Sequence, residues 1–176
     1  MLKIVEGELI SQMAEQVSNK DSGCDYMFKN QRLDELKLMY SVFKRDALTL
    51  RLIICKMNPF ILERGDKIVK DESMVKNPVE FTRKLISFKA EIDAMVKESF
   101  SDDMKFQTAR DKSFQEFMNG QPFTAKYLAV FADHELRVGF KGVADLEIDQ
   151  RLCSITDLFR CLHNRDEFLA NYQREL

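Results

Sequence analysis

Ile148, Leu152, Ile155, Phe159 and Leu162 follow one another at alternating intervals of four and three residues. An α-helix turns once in about 3.6 residues, so this spacing lays one apolar stripe along a helix of about five turns. A helix cannot bury such a stripe by itself; partner helices must cover it. After a break at His163-Asn164-Arg165, Phe168, Leu169, Tyr172 and Leu176 resume helical intervals in a second amphipathic segment. The same four–three rhythm runs upstream through Phe81, Leu85, Phe88, Ile92, Met95 and Ser99. That stripe opens on a clear start signal. Asn77 stands at the N-cap, Pro78 at the first helical position and Glu80 three residues past the cap.

The remaining segments read as helices too. Residues 3–18 place Ile4, Val5, Leu9, Ile10, Met13 and Val17 on one broad face, and the turn formers from Asn19 to Gly23 end it. Tyr26, Met27 and Phe28 predict a short helical knot, and Leu33, Leu36, Tyr40 and Phe43 the next helix. Asp46 caps a longer pattern through Leu50, Ile53, Ile54, Met57 and Ile61. Pro59 lies inside it and lacks an amide donor, which costs about 3 kcal/mol in a helix interior. A kink or break near Met57 is therefore expected, with Gly65 as a second stop. Ser101-Asp102-Asp103 leads into a helix whose inner face holds Phe106, Ala109, Phe114 and Phe117. Beyond the turn from Asn119 to Pro122, Tyr127, Leu128, Phe131 and Leu136 mark a helix closed by Gly139 and Gly142. The best place for a strand is 132–143, and it is a poor one. The fold class is all-α, a multi-helix bundle with long helices and short connections.

Charge and chemistry narrow the function. Twenty-seven basic residues face twenty-nine acidic ones, intermixed, for a net charge of −2. That balance gives no footprint for nucleic acid and no polybasic patch for a membrane surface, and no apolar run is long enough to cross a bilayer. The first residues, MLKIVEGELISQ, do not form a secretory signal. The four cysteines contain no C-x-x-C pair and read as reduced thiols of a cytoplasmic or nuclear protein, Cys153 and Cys161 as small core fillers. His134, between Asp133 and Glu135, reads as solvated charge, because a divalent site needs three or four convergent ligands. His163 reads as a positive group at a helix end, and Asp102-Asp103 as complements to a helix dipole. No phosphate-cradling glycine loop occurs. The residues offer no catalytic, cofactor or metal site. Those on which function rests are the structural core (Phe81, Leu85, Phe88, Ile92, Ile148, Leu152, Ile155, Phe159) and the closing run Phe168, Tyr172 and Leu176.

Several runs in order resemble one family. Phe114…Phe117, Lys126-Tyr127-Leu128-Ala129-Val130-Phe131-Ala132-Asp133, Leu136, and Gly139-Phe140-Lys141-Gly142 are similar to the cullins. So is the closing run Leu158-Phe159-Arg160, Arg165-Asp166-Glu167-Phe168, Tyr172 and Leu176. Val5 to Ile10, Leu36 to Arg45 and Lys76-Asn77-Pro78-Val79 look like the third cullin subtype, which recruits BTB-domain adaptors. Each run is short; their order covers nearly the whole chain.

The resemblance implies a scaffold segment of a cullin-RING ubiquitin ligase, with protein partners and no catalytic group. It implies the third helical repeat of the N-terminal half. Residues 1–20 would be the helix from a preceding repeat, 21–163 the bundle, and 164–176 the start of the junction to a C-terminal half. The adaptor-binding first repeat and the RING-binding half would lie outside this chain. Pro59, the pair Ala125-Lys126 (where many cullins have proline or serine followed by an acid) and the apolar Val138 and Phe140 depart from the family pattern. Two other classes remain open from the sequence: a shortened relative acting as a regulatory interaction protein, and an unrelated helical enzyme with a polar pocket.

Overall fold

The computed structural model describes Gln12, Val17 and residues 23–175, with the backbone alone at Met74, Val75 and Glu175. Gln12 and Val17 are helical; the rest of the helix expected over 3–18, and Leu176, lie outside the described residues. The elements are α1 (Cys24–Lys29), α2 (Leu33–Phe43), α3 (Ala47–Val69), α4 (Glu72–Val75), α5 (Pro78–Phe100), α6 (Met104–Asn119), α7 (Thr124–His134), a π-helical turn (Glu135–Gly139), α8 (Asp145–Cys161) and α9 (Arg165–Glu175). The described residues contain no strand. The segment 132–143, the best place for one by sequence, is the end of α7 and the π turn.

Helix starts follow local chemistry. Asp46 Oδ2 accepts the Thr49 amide at 2.8 Å and also its hydroxyl, which caps α3. Asn77 Oδ1 accepts the Glu80 amide at 3.3 Å ahead of α5. Asp103 Oδ1 accepts the Lys105 amide at 2.8 Å, so one of the two acids before α6 is a hydrogen-bonded cap. Ser101 and Asp102 reach φ of 51° and 58° to turn the chain there.

Pro59 does not break α3. The helix runs 23 residues through it and through Gly65. Pro59 and Cys55, whose carbonyl loses its partner, are both exposed, so water can serve the freed acceptor. Ile53, Met57 and Ile61 on the other face are fully buried, and that burial outweighs one lost hydrogen bond.

The chain divides into two compact units, 1–61 with 92–110 and 62–91 with 111–176. In the first, aromatic rings form the core. Phe100 stacks on Phe106 with centroids 4.0 Å apart, and Tyr40 sets its edge against both at 5.8 Å. Phe28 packs between Phe60 and Phe100. The Tyr40 hydroxyl donates to Asp103 Oδ2 at 3.0 Å. Burial and this bond to a carboxylate raise the tyrosine's ionisation above its ordinary value. Burial, with Asp25 beside it, pushes the Cys24 thiol up to about 12, which leaves it unreactive at neutral pH.

In the second unit, Phe81 meets Phe123 and Tyr127 edge-on, while Phe88 packs with Phe114 and Phe117. Arg64 forks onto both carboxylate oxygens of Glu91 at 2.5 and 2.9 Å and lies over the Phe88 ring. The α5 residues Phe81, Leu85, Phe88 and Ile92 are all buried; the first three belong to the second unit and Ile92 to the first.

Candidate functional site

The end of the second unit is where sequence reading placed function. Its geometry begins with α8. Ile155, Leu158, Cys161 and Leu162 are buried there. Ile148 and Phe159 are half-buried, and Leu152 is 38% exposed, so Leu152 is not a core residue. The buried face is centred on Ile155, Leu158, Cys161 and Leu162, and the stripe seen in the sequence runs along its edge. Arg151, itself 39% exposed, reaches from the rim of that face to a buried carboxylate, and apolar periodicity gives that position no weight. Cys153 is likewise exposed rather than core, whereas Cys161 is buried.

At Leu162 the backbone leaves the helix for an extended conformation, ψ 135°. One side chain spans the break. Asn119, the last residue of α6, donates from Nδ2 to the Cys161 carbonyl at 2.9 Å and accepts the His163 amide on Oδ1 at 2.8 Å. The carboxamide thus supplies the donor and the acceptor that the interrupted helix lacks. His163 touches this site through its backbone; its side chain is exposed. Asn164 then caps α9, accepting the Glu167 amide at 3.2 Å and donating to the Glu167 carboxylate at 3.0 Å, a reciprocal cap.

Aromatic contacts fix the turn from the other side. Phe168 meets Phe159 nearly edge-on at 4.9 Å, Tyr172 lies parallel to Phe168 at 6.2 Å, and Arg165 covers the Phe159 ring at 5.7 Å. Helix α9 packs along α7. The structure therefore brings Phe159, Phe168 and Tyr172 together in one cluster.

A second polar cluster escaped the sequence reading. Glu135 opens the π turn and is only 2% exposed. Its carboxylate takes Arg151 Nη1 at 3.0 Å and stands 3.5 Å from Arg83 of α5. Arg151 also bonds the Gly139 carbonyl at 3.3 Å and Glu147 at 2.7 Å. Those two acids, Glu147 first, hold its guanidinium charged above the ordinary value. Gly139 is bare where a Cβ would stand 2.5 Å from Glu135 Oε2. His134, read from sequence as solvated, is half-buried, its Nδ1 3.6 Å from Glu135 Oε1. A cavity of about 310 Å³ opens beside Glu135, walled by Ile86 and Phe131. Such a cluster fastens α5, the π turn and α8 to one another. Among the described residues, no three His, Cys, Asp or Glu side chains gather to hold a metal.

The description "Cullin alpha solenoid domain" matches residues 1–176. This chain belongs to the cullin family. It is 31% identical over 174 residues to Cullin-3A of Arabidopsis thaliana, covering 98% of this chain and 24% of the relative. Cullin-3 of Dictyostelium discoideum is 30% identical over 175 residues, covering 99% and 23%. Cullin-4A of Homo sapiens is 28% identical over 181 residues, covering 100% and 23%. The cullin segment thus spans about a quarter of the length of these curated relatives.

The motifs that carried the resemblance now have places in this cullin's fold. Lys126 to Asp133 is most of α7, Gly139 and Gly142 frame the exit from the π turn, and Arg165 to Tyr172 is α9. Asn119 and Glu135 were not singled out as functional, although each stood within a quoted stretch. No local signal marked Glu135: Gly120 follows Glu116 at the same spacing, and a Cβ there would meet only backbone. No helix among the described residues is long and apolar enough to cross a membrane.

Proposed function

We propose that this chain is a non-catalytic spacer of a cullin-RING ubiquitin ligase, most like the third cullin subtype, keeping a substrate adaptor and a catalytic module apart. The observation that carries it is the cullin alpha solenoid match along all 176 residues, joined to two helices of 23 residues each. A spacer works by geometry. A substrate lysine held at fixed distance meets the charged ubiquitin carrier at high effective concentration, and stiffness keeps that concentration from being diluted. Residues 164–176 are the start of the junction to a C-terminal half, with Phe168, Tyr172 and Leu176 as the junction residues. The partners are ligase subunits and neighbouring cullin repeats, and the setting is the cytoplasm, the nucleus or both.

A chimera tests the reading. Residues 1–176 replace the matched segment of Arabidopsis Cullin-3A, and substrate ubiquitination is measured with adaptor and RING subunit supplied. The expected result is transfer near that of the parent, and loss of transfer when a flexible Gly-Ser stretch is inserted beside the exposed Gly142. Assembly with adaptor and RING subunit stays intact in both. Undiminished transfer after the insertion would refute a role that depends on stiffness.

A further inference from the structure

Helix α3 carries a second stripe, opposite in character to its buried one. Leu48, Leu52, Cys55 and Pro59 follow at intervals of four, three and four, and all four are exposed, Leu48 at 67%. That spacing puts them on one face over three turns, about 16 Å, within the first unit. Pro59 has no amide proton, so the Cys55 carbonyl on this face lacks its helical donor. The surroundings are basic. Arg51 stands between Leu48 and Leu52 on the same face, and Lys44 and Arg45 stand just ahead of the helix. All three are exposed and, among the described residues, none is paired with a carboxylate. From Leu36 to Leu62 the one acid is Asp46, whose Oδ2 is taken by Thr49.

We propose that this face docks an acidic amphipathic helix of a partner protein, one that sets a side-chain donor such as glutamine against the Cys55 carbonyl. Three features select that occupant. Apolar residues at helical spacing accept the apolar stripe of a second helix laid along them. Arg51, Lys44 and Arg45 favour acids along that helix's margin. The carbonyl favours one donor inside the contact, because an acceptor cut off from water and left unbonded weakens binding. A second copy of this chain would bring the same cations against one another. A lipid surface offers tails that have no donor for the carbonyl.

The test uses the whole chain, isotopically labelled, with three designed helical peptides followed by amide NMR. The first peptide has leucines at matching intervals, one central glutamine and glutamates along both margins. The second carries lysines in place of the glutamates, and the third a leucine in place of the glutamine. The first should give saturable shifts confined to Lys44, Arg45 and the α3 residues from Leu48 to Pro59. Arg51→Glu should weaken it about fivefold and strengthen the lysine peptide. Pro59→Ala separates contact from folding. It returns an amide donor to the Cys55 carbonyl, so the chain should melt higher. The glutamine peptide should nevertheless bind that variant about two- to tenfold more weakly, the range of one hydrogen bond, while the leucine peptide is unaffected. Equal binding of the lysine peptide, a glutamine peptide indifferent to Pro59→Ala, or no saturable shift would overturn the proposal. So would shifts on this face from phosphatidylserine vesicles alone, or self-association in sedimentation velocity that Arg51→Glu abolishes.

Discussion

Gly65 lies directly against the Phe117 ring: a Cβ on the glycine would stand 2.4 Å from Phe117 Cδ1. Gly65 sits within α3, where alanine would ordinarily stabilise the helix by about 1 kcal/mol. Here the ring belongs to a buried, close-packed cluster with Phe88 and Phe114 and has nowhere to go. Gly65→Ala should therefore destabilise by about 1–3 kcal/mol, the usual range for overpacking. Thermal melts check the sign, and Phe117→Leu in the same chain should recover part of the loss. A melting temperature that rises on Gly65→Ala contradicts this packing.

Asn119→Ala should open the α8–α9 break. The Cys161 carbonyl and the His163 amide both lose their partner, at about 1–3 kcal/mol for each group that stays buried. His163 is exposed and can turn to water, so the lower end of that range applies to it. Hydrogen exchange should quicken first at His163 and along α9, before α5 is affected. Uniform quickening across the chain would mean that Asn119 supports the whole unit rather than the break.

Arg151→Met and Glu135→Gln should not cost the same. Removing the guanidinium strands a buried carboxylate, whereas removing the charge from Glu135 leaves arginines that reach solvent. Arg151→Met should be worse by about 1–2 kcal/mol, the scale of leaving a buried charged group short of one partner. Denaturant melts of the two variants decide it, and equal losses would count against a carboxylate held chiefly by Arg151.

The start of α3 should loosen in acid. Asp46 is held below its ordinary value, first by the Thr49 hydroxyl and then by the Thr49 amide. A lowered folded value means the cap's contribution is present above the ordinary aspartate range and is lost as pH falls through the folded value. Amide exchange at Thr49 should accelerate across that interval, and in Asp46→Asn it should show no such step. An unchanged Thr49 amide at low pH would contradict the cap.

These cases also mark how far the sequence could be read. The α5 stripe was legible because large apolar residues carry most of its buried face, with Thr82, Lys89 and Ser99 buried among them, and because Asn77 and Pro78 announce its start. Four–three spacing could not orient α8, since the half-exposed Arg151 is tied to Glu135, sixteen residues away. Pro59 looked like a break because the local cost was visible and the burial of Met57 and Ile61 was not. Asn119 carries no signature of its role at the break: beside a local bond to the Gln115 carbonyl, its other two reach residues 42 and 44 positions along the chain.

Stiffness is what the spacer reading depends on most. The exposed thiols Cys55 and Cys153 lie in different units, while Cys24 and Cys161 are buried, so the native chain takes two spin labels without substitution. Pulsed electron–electron distance measurement between them should give one narrow distribution, unchanged in width on warming the sample before freezing. A broad or multi-peaked distribution would contradict a spacer that holds two partners at a fixed separation.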